Sequence, residues 1–236
     1  MTSPGRFLTF EGCEGCGKST QITSTLAWLR SSNLTVHEVR EPGGTPVGEV
    51  IRHLLKHDPV GQSMTAQTEL LLFAASRAEL VRQTILPALT RGEWIIADRF
   101  HDSTTVFQGN ARGLPMDEVN FINRFAIAHR EPDLTLILDL DPAEARSRAL
   151  RRPRPIGQKD RLEDLGLDFY QKVAQGYRDL AQREPKRVKL IDASGTREQT
   201  FAMIQKELRH AFPHPPALKS CFNSPQKRAA SLMLIY

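Results

Sequence analysis

The 236-residue chain predicts an α/β fold: a five-stranded parallel sheet flanked by helices. Three observations carry that prediction. Five short β-prone runs recur along the chain, helical stretches separate them, and a glycine-rich segment joins the first strand to the first helix. Hydrophobic residues make up 40% and charged residues 25%, an ordinary globular balance that excludes wholesale disorder.

The first strand is Phe7-Leu8-Thr9-Phe10. Val36–Val39 forms a weaker second strand, Trp94–Ala97 a third, Leu134–Leu140 a fourth and Val188–Ile191 a fifth. Several are nearly continuous apolar runs, as expected of parallel strands covered on both faces. Helices are predicted over Lys18–Arg30, Pro46–Lys56, Thr65–Arg91, Met116–His129, Pro142–Arg151, Asp160–Arg183 and Thr196–Ala211. No repeat or linker divides residues 1–212, which are expected to form one domain. Beyond them, Pro213, Pro215, Pro216 and Pro225 forbid a helix, so 213–236 is expected to be a poorly ordered tail.

Composition narrows the function classes. Three cysteines, Cys13, Cys16 and Cys221, make no disulfide framework and fit a reducing, cytoplasmic setting. No apolar run approaches the ~20 residues that a membrane helix needs, and no signal segment is expected. The net charge of +5 invites a nucleic-acid reading, but the charge is local: residues 144–161 hold seven basic residues against Glu144 and Asp160, so the rest of the chain is neutral. Such a segment suits a compact polyanion such as a nucleotide's phosphates better than a long duplex, so no nucleic-acid partner is expected.

Gly12-Cys13-Glu14-Gly15-Cys16-Gly17-Lys18-Ser19 fits G-x-x-x-x-G-K-[ST] between a predicted strand and a predicted helix, the context of a phosphate-binding P-loop. The glycines let successive backbone N–H groups face one anion, and the helix N-terminus adds its dipole. Lys18 is expected to reach the β- and γ-phosphates and Ser19 to ligate Mg²⁺. Residues 12–20, ending at Thr20, are therefore the expected ATP site. Cys13 and Cys16 also read as C-x-x-C, but two cysteines make half a zinc site; they are expected to fill the variable loop positions. No guanine-reading N-K-x-D occurs, which argues against a GTPase. Asp98-Arg99 ends the third predicted strand, at the carboxyl edge where open α/β sheets bind ligands. Arg99 there suits a bidentate phosphate clamp, and Asp98 a Mg²⁺ ligand, directly or through water, or a proton acceptor.

Six motifs in order resemble the thymidylate kinases (dTMP kinases) of bacteria from about Phe7 to Phe212. They are Phe10-Glu11-Gly12-x-Glu14-Gly15 running on through Ser19, Arg40-Glu41-Pro42-Gly43-Gly44-Thr45, Leu72-Phe73-Ala74-Ala75-x-Arg77, Asp98-Arg99-x-x-x-Ser103-Thr104, Phe107-Gln108-Gly109-x-x-Arg112-Gly113 and Asp160-Arg161-Leu162-Glu163. The resemblance implies a P-loop nucleoside-monophosphate-kinase fold with a lid, Mg·ATP as donor, dTMP as acceptor, dTDP for dTTP synthesis as product, and a homodimer.

It also implies roles. Phe73 alone reads as core packing, since it ends an apolar run; the resemblance makes it the stacking partner of thymine, with Arg77 four residues on donating to a base carbonyl. Ser103, Thr104 and Gln108 would read the base edge. Phe107 stands where many relatives carry Tyr beside the deoxyribose. Glu14 would bond the 3′-hydroxyl, and Glu41, Pro42 and Gly43 would close the acceptor's other side. Some relatives carry a catalytic Arg directly after the P-loop carboxylate, where this chain has Gly15; the Arg-rich lid, 148–161, would supply it instead, from Arg151, Arg152 or Arg154. A kinase for another pyrimidine nucleotide or nucleoside is the nearest alternative, and a nucleic-acid-binding ATPase a more distant one.

Overall fold

The computed structural model describes residues 5–152 and 165–213. Among them five parallel strands form one sheet: β1 (Phe7–Glu11), β2 (Val36–Arg40), β3 (Trp94–Asp98), β4 (Leu134–Asp139) and β5 (Val188–Asp192), in the spatial order β2-β3-β1-β4-β5. The described helices are α1 (Lys18–Arg30), α2 (Pro46–Lys56), α3 (Ala66–Leu80), α4 (Leu86–Thr90), α5 (His101–Thr104), α6 (Met116–Ala126), α7 (Pro142–Leu150), α8 (Leu167–Arg183) and α9 (Arg197–Ala211). All five predicted strands are present within a residue or two of their expected bounds.

Period-two alternation sends side chains to both faces of the sheet. Leu8, Phe10, Trp94 and Ile96 join Ile22, Leu26 and Leu29 of α1 and Ile204 and Leu208 of α9 in one core. Phe7, Ile95 and Ala97 point the other way and pack with Leu80, Val81, Ile85 and Phe100. Helix starts follow local chemistry. Thr45 caps α2 ahead of Pro46, Thr65 caps α3, and Asp141 caps α7 ahead of Pro142. Thr196 and Gln199 form a reciprocal capping box at α9.

Several boundaries differ from expectation for physical reasons. The long helix predicted over 65–91 is interrupted by a π-helical turn at Val81–Ile85. Pro87 has no N–H for the Gln83 carbonyl and its ring crowds that carbonyl, so the helix widens just before it. Helix α6 stops at Ala126 rather than His129, because Ala128 and His129 adopt left-handed backbone at φ 50° and 59°. Leu165 and Gly166 are not helical, so α8 begins at Leu167; the predicted start at Asp160 lies outside the described residues. A short 3-10 turn at Pro59–Ser63 and the helical stretch from His101 to Ala111, the latter π-wound over Thr105–Ala111, were not separately predicted.

The register positions the site. Phe10 lies level with Asp98, and Asp98 with Arg40. The chain therefore leaves β1, β2 and β3 at one height along the sheet edge. Helix α5 follows β3 and is tied beneath the sheet by Asp102, which takes two bonds from Arg187, at 2.7 and 2.9 Å, and one from Thr135 at 2.9 Å. Burial opposes ionisation of Asp102, but His101 and Arg187 outweigh it and pull the carboxyl from its ordinary 3.8 to about 2.

Replacing Arg187 with Ala strands that buried charge and should cost about 3–5 kcal/mol at pH 7 in urea unfolding. A depressed carboxyl contributes stability above its unfolded pKa and loses it as pH falls through the folded value. The difference between wild type and Arg187→Ala should therefore be complete above pH 3.8 and should shrink as the pH falls towards 2.

Candidate active site

The P-loop follows β1 directly, and its glycines do what the motif requires. Gly12, Gly15 and Gly17 have φ of 131°, 83° and 99°, a region in which side chains are strained. A Cβ on Gly15 would stand 2.1 Å from the Ala145 carbonyl oxygen, so α7 rests directly on the loop. Lys18 opens α1 and is buried; its Nζ donates to the carbonyls of Gly12 and Cys13 at 3.2 and 3.1 Å. Ser19 is exposed beside it, while Thr20 is half-buried and lines neither cavity described below. Cys13 and Cys16 turn into the core as free cysteines, and burial, first among several causes, pushes the Cys13 thiol up to about 12. Among the described residues no cluster of three His, Cys, Asp or Glu side chains could hold a metal.

Two adjoining cavities open at the sheet edge. The first is lined by Glu41, Pro42, Phe73, Thr104, Phe107 and Gln108 among others. The second runs along the P-loop past Lys18, Ser19, Arg52, Asp98 and Arg152. Glu14, Glu41, Lys56 and Arg99 line both. Arg99 thus stands where the first cavity meets the P-loop cavity.

Arg99 sits one residue past β3 at φ 72°, a backbone conformation rare for a side chain this large. Its Nη2 donates to Glu14 Oε1 at 2.9 Å, and its Nη1 to Ser103 Oγ at 3.1 Å and Tyr177 Oη at 3.3 Å. The guanidinium also lies 5.1 Å from the Phe107 ring centroid. Burial alone would lower the Arg99 pKa, but Glu14, Tyr177, Glu11 and Asp98 raise it well above its ordinary value. For Glu14, burial opposes charge, yet the cations Lys18 and Arg99 hold the carboxyl well below the usual carboxylate range.

Phe73 is half-buried, faces the first cavity and belongs to neither hydrophobic core. The core packing that its apolar neighbours suggested is therefore not what the structure shows. Arg77 lies one turn deeper, 1% exposed, behind the cavity wall. It bonds Glu41 at 2.8 Å, Thr104 Oγ1 at 2.9 Å, Asn123 Oδ1 at 3.1 Å and the Phe100 carbonyl at 3.3 Å. In this arrangement Arg77 holds two residues of the wall in place. Burial pushes the Glu41 carboxyl up, against the pull of Arg77, and its Oε1 is buried without a partner. Gln108 is held by Glu69, which also receives Arg112. Gly43 donates its N–H to Ser76 Oγ and so pins the Pro42 loop to α3.

Of the arginines expected to form a lid, Arg152 reaches the site, with Nη1 3.8 Å from Glu14 Oε2. Arg151 is exposed at the end of α7 and lines neither cavity. Arg154 and the lid from 153 to 161 lie outside the described residues. Asp98 Oδ1 is buried without a partner in the cavity that also holds Lys18 and Ser19.

Sequence reasoning missed several residues. Arg52 and Lys56 line the phosphate cavity; they lie four apart on α2, a spacing that could have marked a cationic face. Arg40, ending β2, lines the same cavity. Glu11, ending the apolar run of β1, and Tyr177 of α8 meet beneath Arg99, the phenol donating to Glu11 Oε2 at 2.7 Å. A charge at the end of an apolar strand was the available signal for Glu11; nothing local marked Tyr177.

Comparison with known proteins agrees with this geometry. The sequence model of the thymidylate kinase family matches residues 10–204. A thymidylate kinase of Lactobacillus delbrueckii subsp. bulgaricus is 44% identical over 210 residues, covering 89% of this chain and 98% of the relative. One of Symbiobacterium thermophilum is 45% identical over 203 residues, covering 86% and 90%. One of Chlorobium luteolum is 43% identical over 215 residues, covering 87% and 97%. A P-loop and an acceptor cavity meeting at Arg99, with a family match that spans most of the fold, lead to one conclusion: this chain belongs to the thymidylate kinase family.

Proposed function

We infer that this chain transfers the γ-phosphoryl group of ATP to dTMP, giving dTDP and ADP. The observation that carries the reading is Arg99, a buried cation shared by the acceptor cavity and the P-loop cavity. Three of its five N–H groups are taken by Ser103, Tyr177 and Glu14. The remaining two, on Nε and Nη2, suit a bidentate clamp on the acceptor phosphate.

Thymine occupies the first cavity against Phe73, and Thr104 and Gln108 present hydrogen-bonding groups to its edge. Glu14 and Phe107 flank the deoxyribose. The triphosphate lies along residues 12–20, where Lys18 exchanges its carbonyl partners for phosphate oxygens. An oxygen of the dTMP phosphate attacks the γ-phosphorus as the bond to the β–γ bridging oxygen breaks, and ADP leaves. Phosphoryl transfer asks chiefly for alignment and charge neutralisation, which Lys18, Arg99 and Arg152 supply. Ser19 and the unpartnered Asp98 Oδ1 are hard oxygen donors suited to Mg²⁺; the ion, when bound, neutralises phosphate charge. Gly15 leaves no room for an arginine at its position, which favours Arg152 as the cation of the moving group.

The working unit is a homodimer. Val47 and Val50 of α2, Leu71 of α3 and Phe121 and Phe125 of α6 are 53%, 71%, 56%, 67% and 71% exposed on three neighbouring helices. An apolar face of this kind marks an association surface. Unpaired, buried Cys13 and Cys16 fit a cytoplasmic setting, and among the described residues no helix is long and apolar enough to cross a membrane.

A coupled ADP-release assay with dTMP, dUMP, UMP, dCMP and thymidine tests the reaction: turnover should be strongest with dTMP, and turnover with none of the five would remove the assignment. Arg99→Ala should lower kcat/KM for dTMP about a hundredfold, the loss of about 3 kcal/mol from two charged hydrogen bonds. Phe73→Ala should raise the KM for dTMP by roughly tenfold or more, since base stacking is worth about 1–3 kcal/mol, and should leave the KM for ATP unchanged. Light scattering should give twice the 26.6 kDa chain mass, and Phe121→Asp combined with Phe125→Asp should halve it.

A further inference from the structure

Beneath Arg99 lies a small polar network that the reaction as described does not use. Glu11 is fully buried at the end of β1. Its Oε1 accepts the Phe100 N–H at 2.8 Å. Its Oε2 accepts Ser103 Oγ at 2.6 Å and Tyr177 Oη at 2.7 Å. Both hydroxyls lie in turn 3.1 and 3.3 Å from Arg99 Nη1. Three separate elements, β1, α5 and α8, therefore meet at one end of one guanidinium.

The donor count fixes the direction of every bond. A hydroxyl has one hydrogen and two lone pairs. Ser103 and Tyr177 each spend their hydrogen on Glu11, so their 3.1 Å approach to each other carries no hydrogen bond of its own. Their remaining lone pairs face Arg99, whose Nη1 gives one hydrogen to each. Glu14 takes one more from Nη2. Burial, reinforced by the negative charge of Glu11, holds the Tyr177 phenol well above its ordinary value, so it stays a donor. Burial pushes the Glu11 carboxyl up, against the pull of the Arg99 guanidinium 3.8 Å from Oε2; the three donors aimed at its oxygens are what its carboxylate form accepts.

We propose that Glu11 and Tyr177 are positioning residues for the acceptor: together with Ser103 they orient the Arg99 guanidinium so that its two free N–H groups face the dTMP phosphate. Glu11 sets the polarity, turning two hydroxyls so that lone pairs and not hydrogens point at the cation. Tyr177 brings the second of those lone pairs from α8. Neither residue touches the substrate, and each acts through Arg99. The proposal rests on the reading of Arg99 as the phosphate clamp.

The test compares dTMP with thymidine, which has the same base and sugar but no phosphate. Tyr177→Phe keeps the ring and removes only the hydroxyl. It should raise the KM for dTMP by roughly tenfold or more, in line with one lost hydrogen bond to a charged group, and leave the inhibition constant of thymidine and the KM for ATP within twofold of wild type. Glu11→Gln is nearly isosteric, yet with its oxygen kept on the Phe100 N–H its amide nitrogen faces both hydroxyls as a donor and turns their hydrogens towards Arg99. It should show the same signature with a larger loss. In an Arg99→Ala background Tyr177→Phe should add no further loss, because the residue through which it acts is gone. Equal weakening of dTMP and thymidine would assign Tyr177 to packing and overturn the proposal. So would an unchanged KM for dTMP, or a full additional loss in the Arg99→Ala background. A wild-type enzyme that held thymidine as tightly as dTMP would overturn Arg99 as the clamp and this proposal with it, and that result is read before any variant is made.

Discussion

Four carboxylates crowd the carboxyl edge of the sheet, where two anionic nucleotides must meet. Glu11 and Glu41 are buried, Glu14 lies within the P-loop and Asp98 ends β3. Left unpaired, they would repel every phosphate brought near. Each buried one is matched to a particular cation: Glu41 to Arg77 and Glu14 to Arg99, with Glu11 at the back of Arg99. The match is what lets an acidic sheet edge serve anionic substrates. It also uses the carboxylates as braces, since an arginine held from behind by fixed acceptors presents its remaining donors in one direction.

The parallel register makes the matching possible. Phe10, Arg40 and Asp98 lie level, so Glu11, the last residue of β1, and Glu41 and Arg99, one residue past β2 and β3, stand at the same height. A slip of one residue in β1 would send Glu11 to the opposite face and leave the Ser103 and Tyr177 hydroxyls behind Arg99 without their acceptor. The fold contributes geometry that the loops alone could not hold. The left-handed backbone at Arg99 fits the same picture, since the surrounding bonds over-determine a conformation the residue would not choose by itself.

Much of this was legible in the residue pattern because it is local. Apolar runs gave the five strands, and the glycine spacing gave the P-loop together with its place between strand and helix. Departures arose where a distant residue decided the outcome. Pro87 widened the helix several residues ahead of itself. Phe73 ends an apolar run yet faces a cavity, and no periodicity distinguishes that face from the core. Arg77 reads as a donor to substrate, but its bonds go to Glu41, Thr104 and Asn123, up to 46 positions away. Tyr177 meets Glu11 across 166 positions, a contact that only the assembled sheet creates. Local pattern thus located the P-loop and Arg99, while the side chains that hold Arg99 became visible only with the tertiary structure.

The close seating of α7 on Gly15 carries a historical implication. The Ala145 carbonyl occupies the space in which a side chain at position 15 would begin. A P-loop arginine there and a helix resting on the loop are sterically exclusive. A side chain could enter at position 15 only if the helix first retreated, and Arg152, two residues beyond its end, would move with it. Exchange of that one residue is therefore coupled to a step of backbone remodelling, and the glycine and the helix seated on it would be expected to be inherited together.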